Sequence, residues 1–269
     1  MRRLLPAELQ VFGPAVAFVL GLLIGSFLNV CIYRVPRDLS VVFPRSFCPE
    51  CGGQIRGYDN IPLLSYLLLR GRCRSCGKGI GIRYPLVELT TAILLALVVW
   101  RYGWSAAALK WAILECLLVV LFWTDLEERI LPSEFTLGGA VLGLVFSWFL
   151  PLPADLFGLL LPDFSLRWVS VLDAMVGAGF FAGVFWALGA LWSRVAGREA
   201  LGQGDVKLLL LLGTFIGFER EISGLTIGAV AGSVVGGVYL LVTRKGARTF
   251  ELPLGSFLCL GAAVTPFLR

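Results

Sequence analysis

The sequence predicts an all-α, polytopic membrane protein with about eight transmembrane helices and one folded insertion between the first two. Hydrophobic residues make up 58% of the 269 residues and charged residues 15%, whereas a soluble domain carries about 25% charged residues. Several apolar stretches approach the roughly 20 residues that cross a bilayer. One polar, basic and cysteine-rich stretch, residues 34–83, interrupts this apolar pattern and forms the insertion.

Eight apolar stretches are candidate membrane spans. Gly and Pro recur inside several of them, which membrane helices tolerate. The stretch from 206 is short, and the last two are rich in Gly and Ala, a composition that favours close helix packing. The first span follows two arginines, as in a signal peptide, but no convincing cleavage site ends it, so we expect it to be retained. The predicted spans are 11–33, 84–101, 105–124, 135–150, 169–193, 206–218, 222–243 and 253–268.

The distribution of Lys and Arg predicts the orientation. With the insertion in the cytoplasm, 16 of the 23 basic residues lie on the cytoplasmic side and 7 on the other, which agrees with the positive charge of cytoplasmic loops. The net charge of +5 therefore reflects these loops and does not indicate nucleic acid binding. We predict a first transmembrane helix at 1–33, a cytoplasmic insertion at 34–83, and a seven-helix membrane domain at 84–269.

Four of the seven cysteines form two C-x-x-C pairs in the insertion, each followed by a glycine that permits a tight turn. Twenty-one residues separate the pairs, slightly more than the roughly 15–20 of a common zinc ribbon. Disulfides are disfavoured in the reducing cytoplasm, so we predict a structural zinc site with four cysteine ligands. Zinc would stabilise a zinc-ribbon-like insertion that is too small for a core of its own. The predicted ligands are Cys48, Cys51, Cys73 and Cys76, and apolar core positions are predicted for Cys31, Cys116 and Cys259.

The chain contains no histidine, which excludes the Ser-His-Asp triad and every His-ligated metal. Asp125 follows the third span and Asp205 precedes the sixth, so the topology brings both acids to the cytoplasmic face. Two carboxylates that share a site can divide one proton, one acting as base and the other as acid. Alternatively the acids mark the interface, with Asp205 at a helix N-terminus that favours negative charge and Lys207 paired with a neighbour.

Glycines flank the second aspartate, at Gly202 and Gly204. Glycine there permits close backbone approach or a bend before the helix, and an unwound start would accept an extended peptide by strand pairing. Glu115 lies more than one turn inside the third span, where it either contacts another helix or lines a cavity. The sequence leaves the roles of Glu115 and Lys207 open.

Three functional classes fit these residues. The first is an aspartyl hydrolase, and the second is an ion or proton-coupled transporter that uses Asp125 and Asp205. A transporter predicts acids through the membrane depth, whereas these two acids are predicted at one face. The third class is a non-catalytic zinc-ribbon scaffold that binds a cytoplasmic partner.

Five motifs in order resemble those of the prepilin peptidase family, the bifunctional leader peptidases and N-methyltransferases of type IV pili and type II secretion. The G-x-G-D core is also similar to that of presenilins and other intramembrane aspartyl proteases. One departure is Ser133, where many members of the family have Asp. The motifs are GSFLNVCIYRVPR at 25–37, the C-x-x-C pairs at 48–51 and 73–76, RYPLVELTTA at 83–92, TDLEERILP at 124–132 and GQGDVK at 202–207.

The resemblance implies that Asp125 and Asp205 are catalytic and that Gly202, Gly204 and Lys207 support their motif. It implies cleavage of a short leader after a glycine in prepilins or pseudopilins, at the cytoplasmic side of the bacterial inner membrane. It also implies methylation of the new N-terminal residue, usually phenylalanine, from S-adenosylmethionine. No recognised nucleotide-binding motif is present, so no residue can be assigned to that cofactor from the sequence.

Overall fold

The computed structural model describes residues 7–152, 155–197, 202–243 and 253–268. The predicted all-α class is confirmed, since these residues form helices and no β-strand, with two isolated bridges. Short 3-10 turns occupy Val35–Arg37, Gly57–Asn60 and Thr265–Phe267. The α-helices are α1 (Ala7–Arg34), α2 (Leu64–Leu68), α3 (Arg83–Tyr102), α4 (Ala106–Glu128), α5 (Ser133–Phe149), α6 (Asp155–Leu160), α7 (Leu166–Ala196), α8 (Gln203–Ile216), α9 (Phe218–Thr243) and α10 (Leu254–Val264).

Each of the eight predicted spans coincides with one of these helices. Five helices (α1, α3, α4, α7 and α9) are long and apolar enough to cross a membrane. The apolar helices α5 and α10 are shorter, and α8 has only 14 residues. Since α8 rises about 1.5 Å per residue, it is shorter than the roughly 30 Å hydrocarbon core. The chain is a multi-pass membrane protein whose predicted spans differ in length.

Part of the predicted orientation rests on residues beyond the described ranges. The basic residues in question, counted in the sequence, are Arg2, Arg3, Arg198, Arg244, Lys245, Arg248 and Arg269.

The helices divide into two compact units, Met1–Val120 and Leu121–Arg269. In the first unit, α1 packs along α3. Two glycines one turn apart on α1 permit this contact, because a Cβ at Gly21 would overlap the Ala92 backbone and a Cβ at Gly25 would lie 2.7 Å from the Glu88 Cα. Small residues bring membrane helices together in this way.

In the second unit, α8 is the central helix. It contacts α5, α7, α9 and α10, and the run from Leu211 to Ile216 is entirely buried. A Cβ at Gly213 would overlap the Ala178 backbone of α7, so this glycine allows α7 and α8 to approach closely. The short α8 is therefore enclosed by protein and does not face lipid along its length.

The outer surface of α9 suits contact with lipid. Only 17% of its most apolar 18-residue stretch is buried within the protein. The exposed positions recur every three or four residues, which places them on one helix face. They are Val230, Val234, Val238 and Leu241.

Candidate active site and metal centre

Asp125 lies in the last turn of α4 and is buried, with 6% of its surface exposed. Its Oδ2 accepts two hydrogen bonds from one residue at the start of α10. The backbone N–H of Ser256 donates at 2.6 Å, and the Ser256 hydroxyl lies 2.7 Å away. The N-terminal end of a helix favours negative charge. The fold therefore surrounds Asp125 with groups that stabilise an ionised carboxylate.

The Ser256 hydroxyl has two acceptors within reach. Its Oγ lies 3.1 Å from the Phe122 carbonyl oxygen as well as 2.7 Å from Asp125 Oδ2. A hydroxyl carries one proton and two lone pairs. It can therefore donate to only one of these acceptors at a time. Both acceptors belong to the end of α4, so Ser256 connects the start of α10 to that end.

Asp205 lies in the first turn of α8, outside the five long candidate spans. Burial, and secondly the negative charge of the nearby Asp125, raise the pKa of Asp205 from 3.8 to about 6. The two acids are thus close enough for the charge of Asp125 to disfavour ionisation of Asp205, although 80 residues separate them in the sequence. The structure brings together Asp125 and Asp205, which the predicted topology assigns to the same membrane face.

Leu131 fills the space between the start of α8, which carries Asp205, and the start of α10, which contacts Asp125. A Cβ at Gly204 would lie 3.1 Å from the Leu131 Cβ, and a Cβ at Gly255 would lie 2.9 Å from the Leu131 Cδ1 and 3.1 Å from the Asp125 Cγ. Glycine at both positions therefore leaves room for Leu131 beside the aspartates. Leu131 is therefore the neighbour whose close approach the glycine at position 204 permits.

The start of α8 differs from the unwound segment that the glycines suggested. Only Gly202 is extended, with φ −71° and ψ 144°, and the helix begins at Gln203. Gly204 is helical, so within 202–205 a single extended residue would be open to strand pairing. The difference arises because the close fit of Gly204 against Leu131 accounts for this glycine without requiring an irregular backbone.

Lys207 has a definite partner. Its Nζ donates to the Ser133 hydroxyl at 2.9 Å, which connects the first turn of α8 to the first residue of α5. Ser133 is the position at which this chain departs from the resembled motif. The neutral Ser133 hydroxyl therefore accepts a hydrogen bond from Lys207, whereas a carboxylate at this position would form an ion pair with it. Sequence spacing gives no signal for this contact, since 74 residues separate its partners.

The four predicted zinc ligands converge in the first unit. Their sulfur atoms all lie within 4.8 Å of one another, and the Sγ atoms of Cys48 and Cys76 are 4.0 Å apart. Tetrahedral zinc with bonds of about 2.3 Å places its sulfurs about 3.8 Å apart, so the donor set fits zinc. None of the seven cysteines forms a disulfide.

The two C-x-x-C segments form matching turns. The N–H of Cys48 donates to the Gly53 carbonyl, and the N–H of Cys73 donates to the Lys78 carbonyl. Positive φ angles at the following glycines confirm the predicted tight turns: 67° at Gly52 and 71° at Gly77. Backbone N–H groups of Cys76 and Ser75 lower the pKa of Cys73 to about 7, which favours the thiolate form that binds metal.

Besides Asp125 and Glu88, three acids are buried inside the described helices. Glu115 is 1% exposed, and neither of its carboxylate oxygens has a hydrogen-bond partner among the described residues. Glu221, fully buried in α9, is likewise unpartnered within that part of the chain and lies near Asp173. Asp173 accepts a hydrogen bond from the Phe218 N–H at 3.1 Å, just beyond the end of α8 opposite Asp205. No sequence motif indicated a role for Asp173 or Glu221.

A cavity of about 470 Å³ lies within the first unit. Its wall combines α1, the segment around the first C-x-x-C pair, residues 53–81 and the start of α3. Its lining includes Asn29, Phe47, Asp59, Tyr66 and Glu88.

Comparisons with known proteins identify relatives of both units. Residues 19–102 match the family model described as the bacterial peptidase A24 N-terminal domain, and residues 112–240 match the model of the type IV leader peptidase family. No solved structure matches the chain significantly.

Curated relatives cover most of the chain. The prepilin leader peptidase/N-methyltransferase of Myxococcus xanthus is 43% identical over 88% of this chain and 68% of the relative. The protein of the same description from Pseudomonas putida is 37% identical, over 91% and 86% of the two chains. The type 4 prepilin-like proteins leader peptide-processing enzyme of Escherichia coli is 39% identical, over 95% and 94%. These relatives confirm the resemblance that the sequence motifs suggested.

Proposed function

This chain belongs to the type IV leader peptidase family, and from that premise we propose that Asp125 and Asp205 cleave the leader from prepilins or pseudopilins. The curated relatives are named for leader peptidase and N-methyltransferase activities together. The chain is accordingly a bifunctional membrane enzyme. The observation that carries the aspartyl mechanism is the placement of Asp125 beside Asp205, in surroundings that differ for the two carboxyl groups.

The surroundings suggest separate roles for the two acids. Asp125, bonded to the Ser256 N–H and hydroxyl, is the ionised member and takes a proton from the attacking water. Asp205, with its pKa raised to about 6, is the member that carries the shared proton. It donates this proton to the scissile carbonyl, and the proton then passes to the departing amine. The pair titrates as a unit, so the roles belong to the shared-proton state.

We place the scissile bond after a glycine of the leader, at the cytoplasmic side of the inner membrane. The positive-inside distribution of basic residues and the position of Asp205 at the start of α8 support this placement. The substrate's own apolar helix would lie against the exposed apolar helices. Because the insertion is basic, recognition of a basic leader is steric and backbone-mediated and not driven by charge attraction.

Replacing each aspartate by asparagine tests the proposal. Asp125→Asn and Asp205→Asn keep the side-chain shape and remove the carboxylate, so each should reduce cleavage at least about a thousandfold, as loss of a catalytic group does. Purified protein in detergent would be mixed with a synthetic prepilin, and loss of the leader followed by mass spectrometry. Asp163→Asn, at an exposed position, is the matched control and should cleave normally.

The same variants separate the competing classes. Full cleavage in both Asp125→Asn and Asp205→Asn would disprove the aspartyl mechanism. A proton-coupled transporter would lose proton flux in liposomes when Asp205 or Glu221 is neutralised. The buried Asp173 and Glu221 give that class some support, because they provide acids at the other end of α8. Cleavage that is lost in Asp205→Asn and retained in Glu221→Gln would favour the peptidase.

A further inference from the structure

We propose that the cavity of the first unit binds S-adenosylmethionine, the methyl donor of the N-methyltransferase activity. This inference rests on the proposed bifunctional enzyme and assigns the second activity to residues outside the aspartate pair. The cavity is lined by residues between Ser26 and Glu88, all within the first unit. Both aspartates belong to the second unit. The two family models divide the chain in a similar way, which is consistent with two separate sites.

The size and wall of the cavity suit a nucleoside cofactor. Its volume of about 470 Å³ falls in the range of roughly 300–1,000 Å³ that holds such ligands. Aromatic side chains form part of the wall, and an adenine ring packs well on such faces. The aromatic lining residues are Tyr33, Phe47, Tyr66 and Tyr84.

Asn29 supplies an open hydrogen-bond acceptor in the cavity wall. Its side chain is buried, since 3% of the residue's surface is exposed. The amide nitrogen donates to the Tyr84 carbonyl at 3.0 Å, but Oδ1 has no partner within the described residues. A buried acceptor without a donor is unfavourable. An N–H group of the ligand, on the adenine or the ammonium, would satisfy it.

The cavity wall carries charges of both signs, with four basic and three acidic side chains: Arg34, Arg56, Arg74, Lys78, Glu50, Asp59 and Glu88. Glu88 is 8% exposed and lines the wall, where its Oε2 accepts a hydrogen bond from the Leu63 N–H at 2.8 Å. The Arg34 guanidinium, also in the wall, donates to the Ser40 and Pro44 carbonyls at 2.8 and 2.7 Å. Arg34 is thereby held by the chain itself, Arg74 pairs with Asp59, and Lys78 pairs with Glu50. Arg56 is exposed and donates to Tyr58. Glu88 is therefore the buried carboxylate of the wall that can contact the sulfonium or ammonium group.

The cysteine cluster forms one side of the same cavity. Cys48 and Cys73 line it, together with residues of both C-x-x-C turns. A zinc ion would fix this wall, because the turns have little other core. Zinc bound by the four cysteines would thereby shape the cofactor site.

The reaction that the bound cofactor supplies is a methyl transfer. The neutral amine of the newly cleaved peptide forms a bond to the methyl carbon, and the carbon–sulfur bond breaks with its electron pair returning to sulfur. S-adenosylhomocysteine is released, and the amine gives up one proton to solvent.

Binding, measured without turnover, tests the inference on the full-length protein in detergent. Isothermal titration with S-adenosylmethionine should give a saturable site of about one per chain. Asn29→Leu removes the open acceptor and should raise the dissociation constant about tenfold. Thr91→Val is the matched control, because Thr91 is buried at the same α1–α3 contact but outside the cavity lining, and it should bind normally.

A second variant tests the same cavity independently, in case Asn29→Leu does not fold. Ser46 lines the cavity and is only half-buried, so Ser46→Trp should fill the space and abolish binding while zinc content stays normal. Ultraviolet cross-linking of radiolabelled S-adenosylmethionine, followed by peptide mapping, should label residues 26–88. Label within 121–269, or undiminished binding in both variants, would overturn the inference.

The Asp205→Asn variant distinguishes the aspartyl peptidase proposal from the proposed S-adenosylmethionine cavity. It should lose cleavage and keep S-adenosylmethionine binding, because its site lies in the other unit. A wild-type protein that cleaves prepilin but binds no S-adenosylmethionine would overturn the cavity assignment and leave the aspartyl proposal standing.

Discussion

Asp125 and Asp205 carry the same functional group in different surroundings. Asp125 accepts two hydrogen bonds from Ser256 at the N-terminal end of α10. Asp205 is buried beside that negative charge, which makes its ionised form costly. Paired carboxyl groups perform acid–base chemistry when their environments separate their affinities for the proton. The asymmetry is produced by packing and not by the chemistry of aspartate itself.

The raised pKa of Asp205 predicts a pH profile. Below about pH 6 Asp205 holds its proton, and above it the proton is lost, so kcat/KM should fall as the pH rises through about 6. This ratio reports the ionisation of the free enzyme. Ser256→Ala removes one charge-assisted hydrogen bond to Asp125 and should lower kcat/KM about tenfold. Steady-state cleavage between pH 5 and 8 is the measurement, and a ratio that rises across that range would contradict the assignment of Asp205 as the acid.

At the scale of the elements, α8 is held at both ends by polar contacts. Lys207 in its first turn reaches Ser133 of α5, and just past its last turn Asp173 of α7 accepts the Phe218 N–H. Between these ends its apolar side chains are buried. The position of Asp205 therefore depends on how α5, α7 and α10 pack around one short helix.

Strengthening the contact between α8 and α5 should stabilise the second unit. Ser133→Asp replaces the hydroxyl by a carboxylate that pairs with Lys207, at a helix start where negative charge is favourable. The expected gain is about 1 kcal/mol, seen as a higher melting temperature in detergent. Measured against Lys207→Met alone, adding Ser133→Asp should give a smaller gain, because only the contribution of the helix start remains. An equal gain without Lys207 would show that the ion pair is not its source.

The elements were predictable to the extent that their signals are local. Apolar runs identified each long helix, cysteine spacing identified the four sulfurs that converge, and the order of the spans predicted that Asp125 and Asp205 share one face. Ser256 could not be found in this way, because 131 residues separate it from Asp125. The helical state of Gly204 was also missed, because it depends on Leu131 fitting against it. Contacts of this kind arise from the packing of distant segments, which periodicity and propensity do not report.

At the scale of the whole molecule, two different kinds of stabilisation operate. The second unit is held by buried apolar helices, whereas the insertion of the first unit depends on two tight turns and four converging sulfurs. A small segment with little core gains its stability from a metal. Loss of zinc should therefore affect the insertion first.

Metal removal tests this division. Purified protein should contain about one zinc per chain, and chelation should open residues 46–80 to limited proteolysis while the helices of the second unit stay protected. Cys73→Ser should behave like the chelated protein. Cys116→Ala is the matched control, because Cys116 lies on α4 outside the sulfur cluster, and it should retain zinc. Intact folding of the insertion without metal would refute a structural four-cysteine site.

The enclosure of α8 has a consequence for biosynthesis. A helix of 14 residues is too short to be integrated by the translocon as an independent segment. It must enter the bilayer together with its flanking helices, so Asp205 reaches its place only after α9 and α10 have been synthesised. Ser256, which orients the other aspartate, arrives in the same step. We therefore expect a nascent chain that ends before α10 to be anchored in the membrane but unable to cleave a prepilin.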